Sequence, residues 1–193
     1  KDSILEFKLE KVLFDFVFCY GVAQHVPNPK DIYFICSKFL KSNSGLLSID
    51  HYWKRLGDII PCFLYYPKYL WRPLTTKINP QYLLKLINIY CRIYLPFDFF
   101  LKKFFKKKIY KFIKLFIPLP IANYYGVRGI NQDYKTLLEW SIMDTFDQLG
   151  AKYDEPWTLK KLKAISKKLP LKNVNCKIVS DNGNGLILNA KAK

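Results

Sequence analysis

Apolar and polar positions change period twice along this chain. Phe14-Asp15-Phe16-Val17-Phe18-Cys19 is a short, nearly continuous apolar run that reads as a buried strand. Pro27 and Pro29 mark a helix start, and Ser42-Asn43-Ser44-Gly45 marks its stop. Leu46-Leu47-Ser48-Ile49-Asp50 then reads as a second buried strand. Strand, helix and strand between residues 12 and 52 make a βαβ unit. Such a unit predicts a parallel sheet with a right-handed crossover and a ligand site beyond the carboxyl ends of its strands. Chemistry is therefore expected after Phe18 and after Ile49.

From residue 53 to about 150 the period becomes helical. Prolines at 61, 67, 73, 80, 96, 118 and 120 divide the stretch. Asn79-Pro80 is a cap and first-turn pair for a helix through Tyr94, with Pro96 as its stop. A second helix is expected from Phe97 to Phe116. Phe97, Leu101, Phe104, Phe105, Ile109, Phe112 and Phe116 share one arc, and Lys102, Lys103, Lys106, Lys107, Lys111 and Lys114 share the other. Lys108 alone falls inside the apolar arc, where it can snorkel along its own stem.

After residue 150 the alternating pattern returns. Thr158 caps an amphipathic helix carrying Leu159, Leu162, Ile165 and Leu169 on one face, ended by Pro170. Strands follow at Val174–Val179 and Leu186–Ala190, joined by the turn signal Asp181-Asn182-Gly183-Asn184-Gly185.

Composition narrows the class. The 193 residues are half apolar, enough for a sizeable core and inconsistent with compositional disorder. The formal charge of +17 suggests an anionic partner. An excess of Lys over Arg, together with abundant Ile, Asn, Tyr and Phe, is equally what an A+T-rich coding sequence produces. Cysteines 19, 36, 62, 91 and 176 are odd in number and form no C-x-x-C pair, which argues for reduced thiols and a cytoplasmic setting, without a disulfide framework or a zinc site. Lys, Arg, Asn or Pro interrupts each candidate membrane span before roughly 18 apolar residues accumulate.

The first strand and its loop, Phe14-Asp15-Phe16-Val17 through Gly21-Val22-Ala23-Gln24-His25-Val26-Pro27-Asn28-Pro29, resemble the F-D-x-V strand and G-V-L-H-H-x-P-D-P loop of class I S-adenosylmethionine-dependent methyltransferases. Leu40-Lys41-Ser42-Asn43-Ser44-Gly45 is similar to the L-K-P-G-G that precedes that family's fifth strand. Trp140-Ser141-Ile142-Met143-Asp144-Thr145-Phe146-Asp147-Gln148-Leu149, followed by Tyr153-Asp154-Glu155-Pro156-Trp157-Thr158, is similar to D-T-F-D-x-L and Y-D-x-P-x-T runs of a bacterial small-molecule subgroup. Gly183-Asn184-Gly185-Leu186 matches that subgroup's terminal strand. The resemblance implies an α/β, Rossmann-like methyltransferase fold represented by its carboxyl-terminal half, strands 4 to 7, with a helical cap inserted after strand 5. Residues 1–52 would be partial core, 53–150 the cap and 151–193 the returning core. No glycine-rich cofactor loop precedes Phe14, so the chain reads as truncated at its amino end.

The resemblance also implies site residues. His25, after the fourth strand, is the expected general base, since imidazole accepts a proton near neutrality. Structuring of the loop is the competing role for it. Gln24 stands where relatives carry His or Glu and can serve neither as base nor as anionic metal ligand, so no metal is expected. Tyr20 and Gly21 would lie near the methionine part of S-adenosylmethionine, and Asp2 near its adenine. His51 and Tyr52, at the sheet edge, and Trp140, Asp144 and Asp147, at helical spacing on one face, are the expected acceptor contacts. A structural face pairing with lysines is the competing role for that trio.

The expected function is methyl transfer from S-adenosylmethionine to a small-molecule or lipid- or sugar-linked acceptor, inactive in this fragment alone. The alternative is a basic amphipathic module that binds a membrane surface or nucleic acid without catalysis. Nucleic acid is disfavoured because no reader motif is present and the lysines are not interleaved as a stacking platform. A cytoplasmic protein with peripheral contact to an anionic inner membrane is compatible with both readings. For residues 97–116 the first expectation is a cap whose apolar arc buries against the domain.

Overall fold

The computed structural model describes residues 12–55, 66–116, 120–127, 129–179 and 185–193. The chain is mixed α/β and divides into two units, one of residues 1–60 and 153–193 and the other of residues 61–152.

The first unit is built on a four-stranded mixed sheet. β1 (Phe16–Cys19) leads through a 3-10 turn (Ala23–His25) into α1 (Pro29–Lys38) and then β2 (Leu46–Tyr52). β1 and β2 pair in parallel from Phe16↔Leu46 to Cys19↔Ile49. Pro29 opens α1, where its missing N–H costs nothing. Gly45 closes the return: a Cβ there would lie 2.8 Å from the Lys41 carbonyl oxygen, so no larger residue fits this backbone approach. α6 (Leu159–Ser166), capped by the Thr158 hydroxyl accepting from the Lys161 N–H, precedes β3 (Leu171–Ile178) and β4 (Gly185–Ala192). The sheet order is β1-β2-β4-β3, and β4 runs antiparallel to both neighbours.

β3 begins at Leu171, three residues before the expected Val174. A register shift between Lys172 and Asn175, with Asn173 at a φ of +51°, breaks the two-residue alternation and hides the strand's first half. The expected turn at 181–184 lies outside the described residues.

Alternation along the other strands decides where the core sits. Leu47, Ile49 and His51 of β2 and Leu186, Leu188 and Ala190 of β4 turn to one face and are buried with Ile32, Tyr33 and Cys36 of α1 and Leu162 and Ile165 of α6. The opposite face carries exposed apolar side chains. There Phe16 and Phe18 are 55% and 59% exposed and Leu46 is 50% exposed. A groove of about 400 Å³ runs over Phe16, Leu46 and Ser48 to Asn189.

The second unit is helical. α2 (Lys68–Thr75), α3 (Pro80–Phe104), α4 (Lys107–Phe116) and α5 (Tyr134–Gly150) follow one another. Asn79 caps α3 by accepting from the Gln81 N–H, and Asp133 caps α5 by accepting from the Thr136 N–H at 2.7 Å. The last carbonyls of α5 are taken by α2. Buried Arg72 donates to Gln148 O and Ala151 O, and Thr75 donates to Leu149 O. Leu83, Ile87, Cys91 and Leu95 of α3 form a core with Leu138 and Leu149 of α5.

The expected helix stop at Pro96 is not observed. α3 continues to Phe104, and the break comes at Phe105, whose backbone is extended. A proline inside a helix costs about 3 kcal/mol because it removes one N–H and crowds the carbonyl four residues back. Leu95 and Leu101 flank Pro96 on the buried stripe, and burying each contributes about 1.5–3 kcal/mol. That gain offsets the proline.

Asp98, fully buried, accepts from Asn123 Nδ2 at 2.6 Å and from the Tyr110 hydroxyl at 3.1 Å, tying α4 to α3. The expected burial of the 97–116 apolar arc is found at Leu101 only among the described side chains. Phe97, Phe104, Phe105, Ile109 and Phe112 are exposed. Cys19, Cys36, Cys91 and Cys176 are free thiols. No helix among the described residues is long and apolar enough to cross a membrane.

Candidate functional site

The carboxyl ends of β1 and β2 meet in the sheet unit, and polar side chains gather there. After β1 the backbone turns sharply at Gly21, which has a φ of +73°. Its N–H donates to Asp50 Oδ1 at 2.7 Å and so ties the loop to the end of β2. A Cβ on Gly21 would meet nothing within 4 Å, so glycine is required here by backbone conformation, with open space in front. Burial lifts the Asp50 carboxyl above the usual carboxylate range, against the opposing pull of the Gly21 N–H and His25.

Tyr20 leans back along the sheet face that carries Phe18. Its ring stacks on Phe18 at 4.0 Å, and its hydroxyl lies 2.9 Å from Ser48 Oγ. Ser48 spends its one proton on Asn189 Oδ1, so Tyr20 is the donor to Ser48.

The next turn carries Gln24 and His25. His25 Nδ1 lies 2.9 Å from the Tyr153 carbonyl oxygen, which can only accept. Nδ1 therefore bears the proton, and the lone pair of the neutral ring sits on Nε2. Tyr52 meets the His25 ring edge to face at 5.4 Å. Gln24 is fully buried; its backbone carbonyl accepts from the Glu155 N–H, while its side-chain amide has no hydrogen-bond partner among the described residues.

His51 has a different role from His25. It is fully buried, stacked on Trp157 at 4.2 Å. Its Nε2 lies 2.7 Å from the Glu155 carbonyl oxygen, so Nε2 donates; Nδ1 then accepts from the Tyr33 hydroxyl at 3.2 Å. Burial pushes its pKa down to about 4, which keeps the ring neutral. The expected acceptor contact at His51 is thus a core histidine with both nitrogens occupied by the protein.

One segment organises both histidines. Residues 153–157 run beside the end of β2, with the Trp157 N–H donating to Tyr52 O and the Lys54 N–H donating to Trp157 O. Tyr153 O orients His25, and Glu155 O orients His51. The Glu155 side chain accepts from Trp157 Nε1 and pairs with Lys161. Burial raises the Glu155 carboxyl, but Lys161 and Trp157 together hold it below its usual range. Sequence reasoning used this Y-D-x-P-x-T run only as a family mark. Its backbone carbonyls, invisible in residue identity, do the orienting.

Of the expected site residues, Gly21, His25 and Tyr52 come together with Asp50 in the sheet unit. Trp140, Asp144 and Asp147 belong to α5 in the helical unit. All three are exposed. Partial desolvation and the neighbouring Asp147 raise the Asp144 carboxyl, and Trp140 packs edge to face on Tyr124. Asp2 lies outside the described residues. Among the described residues no group of three or more His, Cys, Asp or Glu is placed to hold a metal ion.

The sequence matches no protein-family model and none of the curated proteins. Among solved structures it is similar to PKMT2 from Rickettsia typhi, with a TM-score of 0.44 and 14% identity over 97% of this chain and 36% of that one. The same protein in complex with AdoHcy gives a TM-score of 0.44 and 12% identity, over 97% of this chain and 37% of that one. The chain thus spans little more than a third of the length of these structures. A likeness at this level carries no chemistry.

Proposed function

We propose that this chain is the carboxyl-terminal half of a class I S-adenosylmethionine-dependent methyltransferase, with His25 as general base toward a hydroxyl acceptor. The observation that carries the proposal is the His25 ring. It sits at the carboxyl end of a parallel βαβ unit, with Nδ1 donating to the Tyr153 carbonyl, the tautomer in which Nε2 is the basic atom. The sheet supports the same reading: a parallel βαβ unit followed by a returning helix and an antiparallel hairpin edge is what the family resemblance implies in that order. The exposed apolar side chains of Phe16, Phe18 and Leu46 and the edge position of β1 suit a further layer and strand supplied from elsewhere in a longer polypeptide.

In this reading Tyr20 and Gly21 hold part of the cofactor, and the space in front of Gly21 receives it. S-adenosylmethionine supplies an electrophilic methyl group when bound. His25 Nε2 would take up the acceptor's hydroxyl proton, and Tyr153 O keeps the ring from rotating away. Asp50 fixes Gly21 and faces His25 as the imidazolium forms, which stabilises that charge. Tyr52 shields the ring on one side.

In a polypeptide that includes the residues encoded ahead of Lys1, His25→Ala should lower the methyl-transfer rate by roughly 10²-fold or more and leave S-adenosylmethionine binding nearly unchanged. A rate within a few fold of the parent would remove His25 from proton transfer. The same coding sequence should contain a strand followed by an acidic residue and a glycine-rich loop; its absence would remove the methyltransferase reading altogether.

A further inference from the structure

α3 is apolar on two faces. One stripe is buried against α5. A second, about 130° around the helix, is exposed: Ile93, Phe97, Phe100 and Phe104; Ile109 and Phe112 of α4 are exposed as well. Ile93 is 73% exposed and Phe104 65% exposed, values at which a single apolar residue is ordinary but a continuous row is not. Seven lysines lie between residues 102 and 114, and no acidic residue occurs between Asp98 and Asp133. Lys103 Nζ lies over the Phe104 ring at 5.7 Å, so at this point of the apolar row a positive charge shares its surface.

From this juxtaposition we propose that the carboxyl-terminal part of α3 together with α4 docks on an anionic lipid bilayer, its phenylalanines entering the interface and its lysines meeting the headgroups. Charge selects this occupant. A second copy of the chain could cover the apolar row but would bring another +17 with it and leave the lysines unneutralised. A soluble polyanion would neutralise the lysines and leave the phenylalanines in water. An anionic bilayer satisfies both halves of the surface. Tyr110 and Asp98 set the geometry by anchoring α4 to α3. The docking stands independently of methyl transfer, and its failure would leave the proposal for His25 untouched.

The test is co-sedimentation of the chain with vesicles of phosphatidylcholine alone and of phosphatidylcholine mixed with phosphatidylglycerol. Binding should require the anionic lipid and weaken steeply as salt is raised. Replacing Lys103, Lys106, Lys107 and Lys108 with Gln should reduce partitioning by roughly 10³-fold, given roughly fivefold per lysine. The same four positions changed to Arg should retain it. Phe104→Gln with Phe100→Gln should reduce partitioning by roughly tenfold or more while the far-ultraviolet dichroism stays unchanged. Equal binding to both vesicle types, or a Gln variant that binds like the parent, would overturn the proposal. So would lipid-free dimers that the phenylalanine variants dissolve, which would assign the face to a second copy.

Discussion

In the sheet unit, β2 and β4 each turn one row of side chains inward, and α1 and α6 cover that row, leaving a core of stacked rings around Trp157. In the helical unit α3 turns two apolar rows, of which α5 covers one. Burial is therefore concentrated in the first unit at a few large side chains and spread in the second along one long stripe. Individual core residues should matter greatly in the sheet unit, whereas the outer row of α3 should matter to stability hardly at all.

The largest expected effect follows from Trp157, which is 1% exposed and stacks on both Tyr33 and His51. Trp157→Ala should lower the unfolding free energy by about 3–5 kcal/mol, read as a shift in urea midpoint.

Acid should act on the same cluster. The pKa of His51 falls from an unfolded value near 6.5 to about 4 in the folded chain. Between these values the unfolded state binds the extra proton, so the stabilisation is complete above the upper value and is lost as pH falls toward the lower. Between roughly pH 7 and pH 5 the loss should amount to about 2 kcal/mol, and His51→Gln should flatten that slope. Asp50 works in the opposite direction. Burial raises its pKa, so the folded state takes up the proton first and acid favours folding there. A slope unchanged in the glutamine variant would place the acid sensitivity elsewhere.

A smaller effect of opposite sign is expected at Pro96. Since packing already holds α3 helical through this position, Pro96→Ala should restore a backbone hydrogen bond and stabilise the chain by about 1–2 kcal/mol, measured by thermal unfolding. Destabilisation would mean that the proline shapes a bend the packing requires. Smallest of all, Phe104→Ala on the exposed row should stay within about 0.5 kcal/mol of the parent. A cost of several kcal/mol would show that the row is covered in the folded protein.

What could be read from the residues follows a physical divide. Local rules worked: Asn79, Thr158 and the Pro29 helix start lie where capping and proline chemistry predict, because such signals depend only on neighbours in sequence. Pro96 misled because its local penalty is outweighed by the burial of Leu95 and Leu101, a tertiary effect. The left-handed Asn173 concealed the start of β3 for a similar reason, since a bulge destroys the alternation that identifies a strand. The placement of Gly21 and His25 after β1 and of Tyr52 at the end of β2 was legible from the βαβ pattern. His51 was not: an imidazole at a strand end looks the same in sequence whether it faces a substrate or stacks on a tryptophan more than a hundred residues away. Asp50 drew no role until its bond to the Gly21 N–H was seen.

In the proposed function Tyr20, Gly21 and His25 form one part of a site for S-adenosylmethionine and its acceptor. Calorimetric titration of S-adenosylmethionine tests it most directly, into this chain and, in parallel, into the polypeptide extended by the residues encoded ahead of Lys1. Negligible heat from the first and micromolar binding to the second is the predicted result. Micromolar binding to the 193-residue chain alone, or none to the extended one, would contradict the account.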